Sequence, residues 1–159
     1  MDERPAAVHP DIDLSQAVRR REPAGAHARV LGVIAAGGVA GSLARYGLAR
    51  AWPTPAGGVG WATFGTNVAG CLLIGVLMVL VTEVWAAHRL LRPFLGTGLL
   101  GGFTTFSAYA EQSRAMLAAG RAAVAFGYLA GTLVAALCAV QLGVVTTRWA
   151  TRSRRGASR

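Results

Sequence analysis

The run Gly96-Thr97-Gly98-Leu99-Leu100-Gly101-Gly102-Phe103-Thr104-Thr105-Phe106-Ser107 sits inside an apolar stretch extending from about Leu90 to Ala118. Each glycine weakens a helix by about 1 kcal/mol relative to alanine. The neighbouring hydroxyls of Thr104, Thr105 and Ser107 can satisfy backbone groups that a broken helix releases. Irregular backbone at bilayer depth survives only where protein buries it or a watery cavity wets it. The stretch therefore predicts a membrane helix interrupted near its middle, with a functional site at the interruption. Gly96, Gly98 and Gly101 also fit the spacing GxGxxG, but Arg92 and Pro93 precede them where a dinucleotide fold needs a strand, so that reading is rejected.

Outward from this run, three more apolar stretches appear, about Val30 to Ala51, Trp61 to Trp85 and Ala122 to Trp149. Each is near the roughly 20 residues that cross the hydrocarbon layer. Pro53, Pro55, Gly57, Gly58 and Gly60 mark the first connection, Glu83 to Arg92 the second and Gly120-Arg121 the third. The expected fold is an all-α membrane protein with four transmembrane helices, the third helix broken. Residues 1–29 carry Pro5, Pro10, Pro23 and mixed charge, and read as a disordered cytoplasmic tail. Residues 30–149 form the membrane domain and 150–159 a basic C-terminal tail.

Composition supports a bilayer: 14% of residues are charged, against about 25% in a soluble domain. All basic residues are arginines, which excludes a P-loop lysine or a Schiff-base lysine. The net charge of +9 could suit nucleic acid, but the arginines flank the apolar runs as in a membrane topology signal. The side shared by the termini and the second connection collects Arg19, Arg20, Arg21, Arg29, Arg89, Arg92, Arg148, Arg152, Arg154, Arg155 and Arg159. The other side has Arg45, Arg50, Arg114 and Arg121, so both termini are expected in the cytoplasm. Cys71 and Cys138 read as packing residues, and His9, His27 and His88 lack metal-ligand spacing. Nothing in the chain suggests an enzyme.

Several residues carry both a structural and a functional reading. Gly37, Gly38 and Gly41, with Ala40 and Ala44, form a small-residue face for close helix approach. Arg45, beside Tyr46 and Arg50, either snorkels to the interface or stands at the mouth of an anion path. Asn67 either glues helices together or offers its amide donors to a small anion. Phe106 and Tyr109, three apart, either pack or present positive ring edges to an anion. Tyr128 and Thr132 share a face of the last helix, their hydroxyls bonded to backbone or facing a path.

Three blocks together resemble the Fluc/CrcB family of fluoride channels: Gly37 to Tyr46, Asn67-Val68-Ala69-Gly70 continuing to Gly75, and Gly101-Gly102-Phe103-Thr104-Thr105-Phe106-Ser107. The resemblance spans about residues 30 to 147. It implies an antiparallel dimer with two fluoride pathways and a structural sodium ion, Na+, on the two-fold axis, held by backbone carbonyls of Gly101 and Thr104. It also implies that Asn67, Thr105, Phe106, Ser107, Tyr109, Tyr128 and Thr132 line the fluoride pathway, for which Arg45, from its own place beside Tyr46 and Arg50, is the candidate anion vestibule. Tyr109 departs from the family's second phenylalanine, and Gln112, beside Glu111, stands where an acid is usual. The arginine bias favours one orientation, and hence a heterodimer with an oppositely inserted partner over a homodimer. Two rivals stand beside the channel: a small four-helix cation-drug exporter, which needs an acid deep in the membrane, and a non-conducting partner subunit of a heterodimeric channel.

Overall fold

The structure, a computed structural model, describes residues 24–84 and 90–156. Helices are the only regular elements among these residues. Helix α1 spans Ala24–Ala51. Helix α2 spans Trp61–Val79 and runs on as a π-helical turn, Leu80–Val84. Helix α3 is a π-helical stretch, Pro93–Leu100, closed by one α-turn, Gly101–Phe103. Helix α4 spans Ser107–Ala118, and α5 spans Ala122–Gly156. Among the described residues, α1, α2 and α5 are each long and apolar enough to cross a membrane.

Two boundaries differ from the hydropathy reading. Helix α1 begins at Ala24 rather than Val30, so the last six residues of the expected 1–29 tail are helical. Helix α5 continues to Gly156, through most of the expected 150–159 tail. Arginine is a good helix former, and a helix already nucleated in an apolar run extends through it at little cost. The remaining tail residues, with His9, His88, Arg89 and the Arg19-Arg20-Arg21 run, lie outside the described residues.

Backbone-to-backbone contact holds α1 on α3. A Cβ on Gly41 would collide with the Leu99 carbonyl oxygen, one on Gly102 with the Gly38 carbonyl, and one on Gly98 would stand 2.7 Å from the Ile34 carbonyl. The small-residue face of α1 therefore does what its spacing predicted, and the glycines of α3 answer it. Helices α2 and α5 cross as closely at Gly75 and Gly143, where added side chains would strike the Val140 and Leu72 carbonyls. Close approach maximises dispersion contact where no hydrophobic effect is available between lipid-exposed helices.

Tight turns fix one end of the bundle. Gly120, at φ 72°, ends α4, with the Arg121 N–H reaching the Met116 carbonyl (2.9 Å), a Schellman closure. Arg121 Nη1 then donates to the Gly57 carbonyl (2.8 Å), tying the third connection to the first. Met116, Ala125 and Tyr128 form the small buried core beneath these turns.

Candidate functional site

The third apolar stretch is interrupted after Phe103. Thr104 is extended (φ −81°, ψ 158°), and the helix resumes at Ser107. The glycines do not form the gap; they stay helical, Gly98 and Gly102 serving the α1 seam, and the break falls on Thr104, Thr105 and Phe106. Gly70 on α2 makes room for it, because a side chain there would collide with Thr104 Cγ2.

Asn67, in the middle of α2, closes the gap. Its Nδ2 donates to the Thr105 carbonyl (2.9 Å), and its Oδ1 accepts the Thr105 N–H (2.8 Å). One amide thus satisfies both backbone groups of the residue that left the helix. Its glue role is real, and the second Nδ2 hydrogen remains for another acceptor. The Thr105 N–H, taken by Asn67, is the donor that an unbroken helix would have given to the Gly101 carbonyl. Thr104 Oγ1 donates back to the Leu100 carbonyl (3.0 Å), while Thr105 Oγ1 accepts the Ala108 N–H (3.3 Å) and meets Ser107 Oγ at 3.2 Å.

The break brings two helix ends together. Carbonyl oxygens terminate α3, which favours a cation, and N–H groups begin α4, which favours an anion. Arg45 meets the first need from one side: its Nε donates to the Gly102 carbonyl at 3.1 Å, joined by Ser42 Oγ at 3.4 Å. It does not line the groove on the Asn67 side; it borders a separate groove with Ser42 and Tyr46.

On the Asn67 side lies an open groove of about 570 Å³, lined by Asn67, Cys71, Gly101, Thr104, Thr105, Phe106, Tyr109, Thr132, Leu133 and Ala136. Most of the sequence-predicted residues meet here; Ser107, Tyr128 and Arg45 do not line it. Phe106 is 79% exposed, standing at the groove's open side. Its ring lies 5.7 Å from that of Tyr109, which lies 5.5 Å from that of Tyr128.

The hydroxyls beyond the rings are committed to the protein. Tyr109 Oη donates to the Leu129 carbonyl (2.8 Å) and Thr132 Oγ1 to the Tyr128 carbonyl (2.7 Å). Tyr128 Oη donates to Gln112 Oε1 (2.8 Å), and Gln112 Nε2 donates to Thr63 Oγ1 (2.8 Å). Gln112 so joins α2, α4 and α5, and Gly60 has no side chain because one would occupy the space of the Gln112 amide. Sequence reading noted Gln112 only as a substitution and missed Thr63. It also took Cys71 for packing, although Cys71 lies one turn from Asn67, and that spacing was the available signal.

No carboxylate lines the groove. Among the described residues Glu83, in the π-helical turn after α2, and Glu111, within α4, are exposed; Glu83 pairs with Arg148 (2.8 Å) and Glu111 with Arg114 (2.7 Å). Amide, hydroxyl and ring-edge groups suit the passage of a small anion rather than covalent chemistry.

The family described as "CrcB-like protein, Camphor Resistance (CrcB)" matches residues 32–144. The chain is 58% identical over 126 residues to the fluoride-specific ion channel FluC 2 of Nocardia farcinica, covering 79% of this chain and 90% of that protein. It is 56% identical over 125 residues to the fluoride-specific ion channel FluC 1 of Streptomyces coelicolor, covering 79% of each. Similarity extends to the fluoride-specific ion channel FluC of Paracoccus denitrificans, 42% identical over 115 residues, 72% of this chain and 91% of that protein.

Proposed function

The chain belongs to the CrcB family, and from that premise we propose that it is a fluoride-selective channel of the cell membrane that lets cytoplasmic fluoride leave passively. The observation that carries this reading is the Asn67 clamp on Thr105, which sets an amide with a spare donor into a largely apolar groove at a broken helix. An inside-negative potential drives the anion outward, worth about 2.3 kcal/mol per charge at 100 mV. Amide and hydroxyl donors and ring edges replace the ion's water without a fixed positive charge that would trap it. By limiting accumulated fluoride, such a path reduces its toxicity.

Four spans follow if α3 and α4 together make the third crossing, with both termini in the cytoplasm as the arginine bias favours. The subunits then pair as an antiparallel dimer, a heterodimer by the same bias or else a homodimer. Exposure of Phe106 within a single subunit supports a covering partner. The residues present also fit a structural sodium ion at the two-fold axis. The Gly101 carbonyl has lost its helical donor, Thr104 has left the helix, and a side chain at Gly101 would meet nothing within 4 Å of its Cβ. The carbonyls of Gly101 and Thr104 would hold the ion, a hard cation on oxygen ligands that offsets the negative end of α3.

The pathway in this reading runs past Asn67, Thr105, Ser107, Phe106 and Tyr109 toward Thr132 and Tyr128. A tyrosine at position 109 need not silence it, because the extra hydroxyl is spent on Leu129 and the ring still lies beside Phe106. A cation-drug exporter fits less well, since both described acids are exposed, ion-paired and absent from the groove. Fluoride efflux from liposomes containing this chain alone, and then with a paired subunit, is the test. Efflux alone supports a homodimer and efflux only with the partner a heterodimer. Cation-drug transport without fluoride flux overturns the assignment.

A further inference from the structure

A second groove, about 260 Å³, lies between α2 and α3, away from the break. One wall is Ile74, Leu77, Met78 and Val81, recurring at three- and four-residue spacing along α2 for about 10 Å at 1.5 Å per residue. The facing wall is Gly96 and Thr97, with Arg92 one turn before Gly96 at the entrance to α3. The groove exists because α3 spends its glycine face on α1. At Gly96 the missing side chain leaves open space in front of Leu77, whose Cδ2 would lie 3.7 Å from an added Cβ.

The chemistry of this slot is graded along its length. Its walls are hydrocarbon apart from Thr97, whereas Arg92 at one end is exposed and makes no ion pair among the described residues. No acidic side chain lines the slot, and Glu83, the acid at the same end of α2, is engaged by Arg148. A mainly apolar slot ending in an exposed guanidinium complements a molecule with a hydrocarbon chain and an anionic head, and the bilayer supplies such molecules as neighbours. Arginine's planar fork suits a phosphate better than a point charge would.

We propose that this groove is a binding site for an anionic phospholipid, with an acyl chain lying between α2 and α3 and its phosphate on Arg92. A zwitterionic lipid offers the same phosphate, but its own ammonium cancels the attraction. The site requires membrane insertion only and is independent of fluoride conduction.

The experiment is native mass spectrometry of the full chain released from neutral detergent micelles, with added phosphatidylglycerol or phosphatidylcholine of matched acyl chains. The wild-type chain is expected to retain phosphatidylglycerol in preference to phosphatidylcholine. Arg92→Gln should weaken that retention about fivefold, the effect of one basic side chain near a charged lipid surface. Arg152→Gln, which removes an exposed arginine of α5 that does not line the groove, should leave it unchanged. Gly96→Leu should fill the slot and lower retention of both lipids. Equal retention of the two lipids by the wild-type chain overturns the proposal, as does an Arg92→Gln protein that binds phosphatidylglycerol normally. An Arg152→Gln loss matching that of Arg92→Gln also overturns it, by showing a general charge effect. Fluoride efflux by the Arg92→Gln protein verifies its assembly, and the two arginine variants decide the matter if Gly96→Leu fails to fold.

Discussion

The two halves of the interrupted third stretch are held in opposite ways. Helix α3 touches α1 chiefly through glycine Cα atoms and carbonyl oxygens, with Ser42 and Arg45 adding side-chain bonds at its last turn, both to the Gly102 carbonyl. Helix α4 is tethered by side chains: Tyr109 to Leu129, Gln112 to Thr63, and Tyr128 to Gln112. A backbone seam fixes position and tolerates no added volume, because nothing in it can rotate away. A side-chain network fixes orientation and tolerates changes of polarity badly, because each lost partner strands another group. The join between these regimes, at Thr104 to Phe106, is where the groove opens.

The comparison can be broken most sharply at Gly41. Gly41→Val places a branched side chain on the Leu99 carbonyl, and we expect a loss of more than about 3 kcal/mol. Size-exclusion chromatography should show aggregate rather than a defined species; a well-folded Gly41→Val protein would end the claim of a rigid seam. Next is Asn67→Ala, which strands the Thr105 carbonyl and N–H and should cost about 2–4 kcal/mol. Fluoride flux from liposomes should disappear, and Asn67→Asp, which cannot donate to the Thr105 carbonyl, should not restore it.

Smaller effects belong to α4. Gln112→Leu removes two side-chain bonds and should lower the melting temperature by an amount matching about 1–2 kcal/mol, with several-fold slower flux. Tyr109→Phe removes one bond to the Leu129 carbonyl and should cost about 1 kcal/mol while flux persists. If Tyr109→Phe instead abolishes flux, the hydroxyl has a role in conduction beyond tethering the ring. Arg114→Gln breaks only an exposed ion pair with Glu111 and should leave the melting temperature unchanged.

Much of this contrast was readable beforehand, and the rest has a physical reason for being hidden. The small-residue face of α1 was legible because close helix packing demands glycine or alanine at fixed spacing. An interruption in the third stretch was legible too, but its place was not. The expected interruption covered the whole run from Gly96 to Ser107, whereas its glycines stay helical, with Gly98 and Gly102 pressed against α1. The residues that leave the helix are the ones Asn67 can hold, and that pairing spans 38 positions of sequence. Arg45 was ambiguous for the same reason, since its acceptor, the Gly102 carbonyl, is 57 residues away. Local pattern reveals which groups need partners; it does not reveal which partner the fold supplies.

The final helix has a practical corollary. Its 35 residues measure about 52 Å at 1.5 Å per residue, whereas the hydrocarbon layer is about 30 Å thick. A rod that outruns the bilayer by this much is a lever: a rigid domain grafted in continuous helical phase onto Gly156 would inherit the axis of the buried segment. Such a graft would turn each small tilt of the subunit into a displacement large enough to image, and its pointing direction would report which way the chain had inserted.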